Sequence, residues 1–218
     1  MAEKTFKKQY SYREFYAVLY NGLRNIKPLK RAKKDGLREQ AFIERIMLAV
    51  TEVNGCEMCS YAHTNWALEA GLSPQEIEQL LAGSAQGTPT DELPAILFAQ
   101  HYADKKGNPD QEAWERIREI YGQKKALGIL GAVREIMIGN VYGAAAGAFS
   151  SRLKGKSYKN SNVFKELGLL LSIIVFIPAA GIKAVFAGLF KRPIADFRKN
   201  TPKSEPSEKE ASTAVEEE

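Results

Sequence analysis

Apolar positions recur along this chain at the three-and-four spacing of a helix face, with no sustained strand-like alternation. Between Leu37 and Val53, the residues Phe42, Ile43, Ile46, Met47 and Val50 form one such stripe. This is the pattern of an amphipathic helix with one side buried. Asn54-Gly55 breaks it. The spacing predicts further helices over residues 12–23, from Cys56 to Gly71, and over 91–105, 110–121 and 124–153, with Gly71 and Gly122 as stops. Ser73-Pro74-Gln75-Glu76 places Ser at an N-cap, Pro in the first turn and Glu three residues on, a capping box for another short helix. The chain is therefore expected to be all-α. Within 124–153, Gly139, Gly143 and Gly147 recur every four residues. They present one smooth face on which another helix, of this chain or of a second subunit, can approach closely.

Residues 167–190 break the amphipathic pattern, with Lys183 as their single charge. They are long enough to span a bilayer, which needs roughly 20 apolar residues. Pro178, Gly181 and Lys183 interrupt them, which suits a buried helix or a hairpin dipping into a membrane. Basic residues flank both sides (Lys154, Lys156, Lys159, Lys165; Lys191, Arg192, Arg198), so the positive-inside rule chooses no orientation. Such flanks fit a segment that enters an anionic leaflet and returns. Two expectations stand side by side: association with a membrane surface through 167–190, or burial against the domain or a partner subunit.

Composition adds limits. A hydrophobic content of 44% and a charged content of 26% exclude a wholly disordered or wholly membrane-embedded chain. The net charge of +5 is uneven: residues 201–218 hold two lysines and six glutamates, leaving the remainder strongly basic. Nucleic acid is not the expected partner, because no binding motif accompanies the charge. The basic run Lys27 to Lys34 reads as a solvated loop. The first residues lack the apolar core of a signal peptide, so a cytoplasmic location is expected. The organisation expected is an N-terminal helix and basic loop (1–34), a main helical domain (35–153), a basic-flanked hydrophobic segment (154–198) and a disordered acidic tail (199–218).

Both cysteines and one of the two histidines fall in the window Cys56-Glu-Met-Cys-Ser-Tyr-Ala-His63. On a helix, spacings of three and four bring Cys56, Cys59 and His63 to one face. In a reducing compartment a close pair of this kind is catalytic, redox-sensing or metal-binding. A thiol reacts with peroxide or disulfide only as thiolate, which a helix N-terminus or a neighbouring base favours. Once one sulfur becomes a sulfenic acid, the other can condense with it. Two carboxylates on the preceding helix, Glu44 and Glu52, could each orient His63 and take up a proton. Spacing does not choose between them. A metal site would need a fourth ligand beyond C-x2-C-x3-H, from His101 or a carboxylate; a scaffold with an incidental thiol pair is the non-enzymatic alternative. Tyr61 and Trp66 read as packing residues. No cofactor is expected.

The stretch from Arg38-Glu-Gln-Ala-Phe-Ile-Glu44 through Cys56-x-x-Cys59-x-x-x-His63 to Ala70-Gly71-Leu72-Ser73 resembles the signature of the AhpD-like, carboxymuconolactone-decarboxylase superfamily. The resemblance covers about residues 35–153. It implies an all-helical fold, a homo-oligomer, and peroxide reduction through the CxxC pair. It further implies that Cys59 attacks the hydroperoxide, Cys56 resolves, His63 relays and Glu44 is the ultimate base. The reductant would be a lipoyl protein, a thioredoxin-like protein or a small thiol. Decarboxylation and general thiol–disulfide exchange are the alternative activities. Retention of both cysteines argues for redox chemistry.

Overall fold

A computed structural model of the protein describes residues 6–35 and 39–197, without the side chains of 33–35. The acidic tail expected over 199–218, together with Leu37, Arg38 and Arg198, lies outside the described residues. The element order is α1 (Tyr12–Asp35), α2 (Gln40–Asn54), α3 (Glu57–Glu69), α4 (Pro74–Leu81), α5 (Leu93–Asp104), α6 (Gln111–Leu153) and α7 (Val163–Leu189). Among the described residues there is no strand, and the fold is all-α.

Helix α2 is central. Its predicted stripe is buried throughout, and Leu48 and Ala49 are sealed as well, because α2 packs against α3, α4, α5 and α6. Gly55 ends it with φ 69°, a left-handed conformation that favours glycine, and its N–H donates to Thr51 O at 2.8 Å. The chain turns there directly into α3, which places the cysteine pair at the start of a helix.

Helix α1 starts at a reciprocal capping box that the sequence reading missed. Ser11 Oγ accepts from the Glu14 N–H at 3.2 Å, and the Ser11 N–H donates to Glu14 Oε2 at 2.7 Å. The run Lys27 to Lys34 belongs to α1 and is not a loop. Pro28 and the charges disfavour helix there, but continuing it buries Leu29 and Ala32. Leu29 lies so close to Gly131 of α6 that a Cβ at Gly131 would come within 2.8 Å of the Leu29 Cβ. Burial against α6 outweighs local preference.

The predicted break at Gly122 is present within α6, with φ 70° and ψ 161°. Ser73 caps α4, accepting from the Glu76 N–H at 3.2 Å. The Glu76 carboxylate also accepts from Arg45 Nε at 2.6 Å, and Arg45 Nη1 reaches Glu92 Oε2 at 3.0 Å. This group ties α2 to α4 and to the start of α5.

Helix α7 corrects both structural expectations for residues 167–190. It is one continuous helix through Pro178 and Gly181, not a hairpin, and it is not buried. Only a narrow stripe containing Glu166, Leu169, Ala180 and Ala187 is covered, because α1 and α6 pack on one side of it. Pro178 faces outward, where no neighbouring element meets its ring. Among the described residues α7 alone is long and apolar enough to cross a membrane.

Candidate active site

The site is assembled where α2, α3 and α6 meet. Cys56 is the N-cap of α3, and its Sγ accepts from the Cys59 N–H at 3.2 Å. The two cysteines are joined as a disulfide, with Cα atoms 5.3 Å apart. The floor beneath them is Gly143 of α6: a Cβ there would lie 2.9 Å from Cys59 Sγ and 3.0 Å from Cys56 Sγ. Only a residue without a side chain lets α6 come this close. Cys59 Sγ also lies 3.5 Å from the carbonyl oxygen of Gly139, where a reduced thiol could donate. The predicted glycine face thus serves, at Gly143, to pack one chain against its own disulfide. Around Gly147 there is open space.

One helical turn beyond Cys59, His63 is held by Glu44 of α2, Nδ1 to Oε2 at 2.7 Å. Glu44 is 2% exposed and His63 7%. Gln40 Nε2 donates to the other carboxylate oxygen at 2.5 Å, so both oxygens of the buried carboxylate are satisfied. The carboxylate favours the proton on Nδ1 and leaves Nε2 as the atom able to exchange one. Trp66 stands edge-on to the imidazole with ring centroids 4.9 Å apart. Gln40, Glu44, His63, Trp66 and Gly139 line one open cleft. On the other side of the disulfide, Gly55, Met58, Tyr61, Gly143 and Tyr158 line a second.

The two candidate carboxylates are separated by this geometry. Glu44 meets His63, whereas Glu52 forms an ion pair with Lys7, whose Nζ also donates to the Glu52 carbonyl at 2.9 Å. The Glu52 side chain faces Gly83. Tyr61 is 75% exposed, at the rim of the cleft it shares with Gly143, and is not a packing residue. Trp66 is half exposed and packs on His63 alone among the aromatic rings. His101 lies at the end of α5, with Nε2 3.2 Å from Asp110 Oδ2. Among the described residues no three His, Cys, Asp or Glu side chains are grouped as a metal site. The sequence reading missed Gln40 and Gly143. Gln40 precedes Glu44 by one helical turn, and Gly143 is the middle member of the glycine series, so each carried a signal.

A match to the carboxymuconolactone decarboxylase family spans residues 29–104, from the last turns of α1 to the end of α5. Glu44, Cys56, Cys59 and His63 all lie inside it. Over this segment the chain is similar to that family. The chain is also similar to the uncharacterized protein YdfG of Bacillus subtilis (strain 168). The two are 24% identical over 136 residues, which is 61% of this chain and 92% of YdfG. No solved structure matches the chain. Helix α7 lies outside both the family match and the AhpD-like stretch.

Proposed function

We propose that the protein is a thiol-dependent hydroperoxide reductase that cycles Cys56 and Cys59 between dithiol and disulfide. The observation that carries this reading is the CxxC disulfide at the start of α3 with the buried His63–Glu44 pair one turn further along. In the reduced enzyme, His63 takes the Cys59 proton, backed by Glu44. The Cys59 thiolate then attacks the terminal peroxide oxygen. The O–O bond breaks, the alcohol leaves with a proton returned through His63, and Cys59 becomes a sulfenic acid. Cys56 attacks that sulfur, water leaves, and the disulfide forms. An external thiol reductant then attacks the disulfide, supplies the two electrons that restore the Cys56–Cys59 dithiol, and leaves oxidised as its own disulfide.

The surroundings of the two sulfurs support this division of labour. Cys59 is 9% exposed and Cys56 only 1%, so a peroxide or a reductant meets Cys59 first. Cys56 accepts the N–H of Cys59 at the helix N-terminus, which stabilises its thiolate. That makes Cys56 a good resolving nucleophile and a good leaving group when a reductant attacks Cys59. The reductant classes that fit are a lipoyl protein, a thioredoxin-like protein or a small thiol. The cysteine pair favours redox chemistry over decarboxylation, which needs no pair of sulfurs.

The test is sulfenate trapping. With one equivalent of hydroperoxide, Cys56→Ser should accumulate a dimedone-reactive sulfenic acid at residue 59, and Cys59→Ser should give none. Peroxide turnover by Cys59→Ser at the wild-type rate would overturn the assignment. Loss of two thiols per chain in the wild-type protein, followed by recovery with one of these reductants, completes the cycle.

A further inference from the structure

We infer that α7 lies flat in the surface of an anionic membrane, with its outer face among the acyl chains and its inner face docked on α1 and α6. An amphipathic helix of a water-soluble domain turns polar residues outward. This one does not: Phe164, Leu171, Ile174, Val175, Val185 and Phe186 on its outer side are all exposed. An apolar strip along 27 residues, roughly 40 Å at 1.5 Å per residue, exceeds what soluble monomers leave in water.

The inner face rules out a perpendicular orientation. Phe176 packs against Phe15 and Tyr16, and Lys183 Nζ sits over the rings of Tyr16 and Tyr20 at 5.5 and 4.7 Å. Just past the helix, Arg24 donates to the carbonyls of Arg192 and Pro193 at 2.6 and 2.9 Å. A helix fastened lengthwise to α1 cannot cross a bilayer without pulling the charged α1 in with it.

Charge identifies the occupant. Residues 154–195 contain one acidic side chain, Glu166, which is buried and paired with Arg152 at 2.7 Å. Lys154 and Lys156 are exposed just before α7, and Lys191 and Arg192 just after it. Both ends are therefore basic. A second copy docked on this face, in either direction, would bring like charges together; anionic headgroups oppose both ends at once.

The test uses the full-length protein and sedimentation with vesicles of phosphatidylcholine alone or mixed with phosphatidylglycerol. Partitioning should be at least about tenfold stronger on the anionic vesicles and should fall with salt. The double variant Ile174→Glu/Val185→Glu should lose it, with thiol titration confirming an intact site. Lys154→Glu/Lys191→Glu, which leaves the apolar face untouched, should lose the preference for anionic lipid. Phe164→Trp, Val175→Trp and Phe186→Trp should be quenched to equal degrees by shallow brominated lipid. Deep quenching at 175 with shallow quenching at 164 and 186 would overturn the flat orientation in favour of a span. Absence of vesicle binding, with self-association that Ile174→Glu/Val185→Glu abolishes, would assign the face to a second copy. These outcomes leave the thiol chemistry standing or falling by its own assay.

Discussion

The α2–α3 site and α7 break the ordinary rule of inside and outside in opposite directions. At the site, a carboxylate and an imidazole are buried together; on α7, a whole row of large apolar side chains is left outside. Burying Glu44 costs hydration that the bonds from His63 and Gln40 offset, and exposing α7 orders water over a wide apolar strip. Neither arrangement follows from the needs of a stable fold. The first makes sense for moving a proton, and the second for meeting a medium other than water. The lesson is that departures from burial preference, read with their signs, separate the part of the molecule proposed to do chemistry from the part proposed to place it.

Variants can break this comparison. The largest effect belongs to the sulfurs: Cys59→Ser should abolish peroxide turnover in a coupled dithiol assay while α7-dependent vesicle binding persists. Next come the two carboxylates of α2. Glu44→Gln should slow Cys59 oxidation by roughly 10²–10⁴-fold, the usual range for general acid–base groups. Glu52→Gln, which loses only its Lys7 pair, should stay near wild type in the same stopped-flow measurement. Equal losses in both would dissolve the distinction between them. A smaller effect is expected at Gly143→Ala, where the added methyl meets both sulfurs; overpacking of this kind costs about 1–3 kcal/mol, readable by denaturant unfolding.

The smallest effect lies on the α7 side, in the capping box that starts α1, the helix on which α7 leans. Ser11→Ala should cost roughly 0.5–2 kcal/mol. Burial alone would raise the Glu14 pKa, but hydrogen bonds from Ser11 and Lys106 and the Lys106 charge outweigh it and hold it below the ordinary range. A folded-state pKa below the unfolded one stabilises above the ordinary carboxylate range. That contribution is lost as pH falls through the folded value. Glu14→Gln should therefore lower the unfolding free energy at neutral pH and leave it nearly unchanged at acid pH, so that stability plotted against pH, read by denaturant unfolding, has a flatter acid limb.

Much of this was legible in the chain. The stripe from Phe42 to Val50, the stops at Gly55, Gly71 and Gly122, and the Ser73 cap are local signals, and local backbone preferences carry them through to the structure. The basic run Lys27 to Lys34 was not legible as helix, because what holds it is Leu29 against Gly131, a contact between residues far apart in sequence. The hydrophobic run was visible, but its continuity through Pro178 and its exposure depended on which neighbours it met. Tyr61 was misread for the same reason: an aromatic residue on a helix is buried only if something packs over it.

By itself the sequence determined that the chain is helical, that Cys56, Cys59 and His63 share one helix face, and that an apolar segment of membrane-spanning length follows. These are matters of spacing and composition within one element. The tertiary structure decided that Glu44 faces His63 while Glu52, eight residues along the same helix, turns to Lys7. It decided too that Gly143 seats the disulfide and that α7 is fastened lengthwise with its apolar side outward. Each depends on how separate helices are rotated against one another, and that rotation is set by the packing of the whole core.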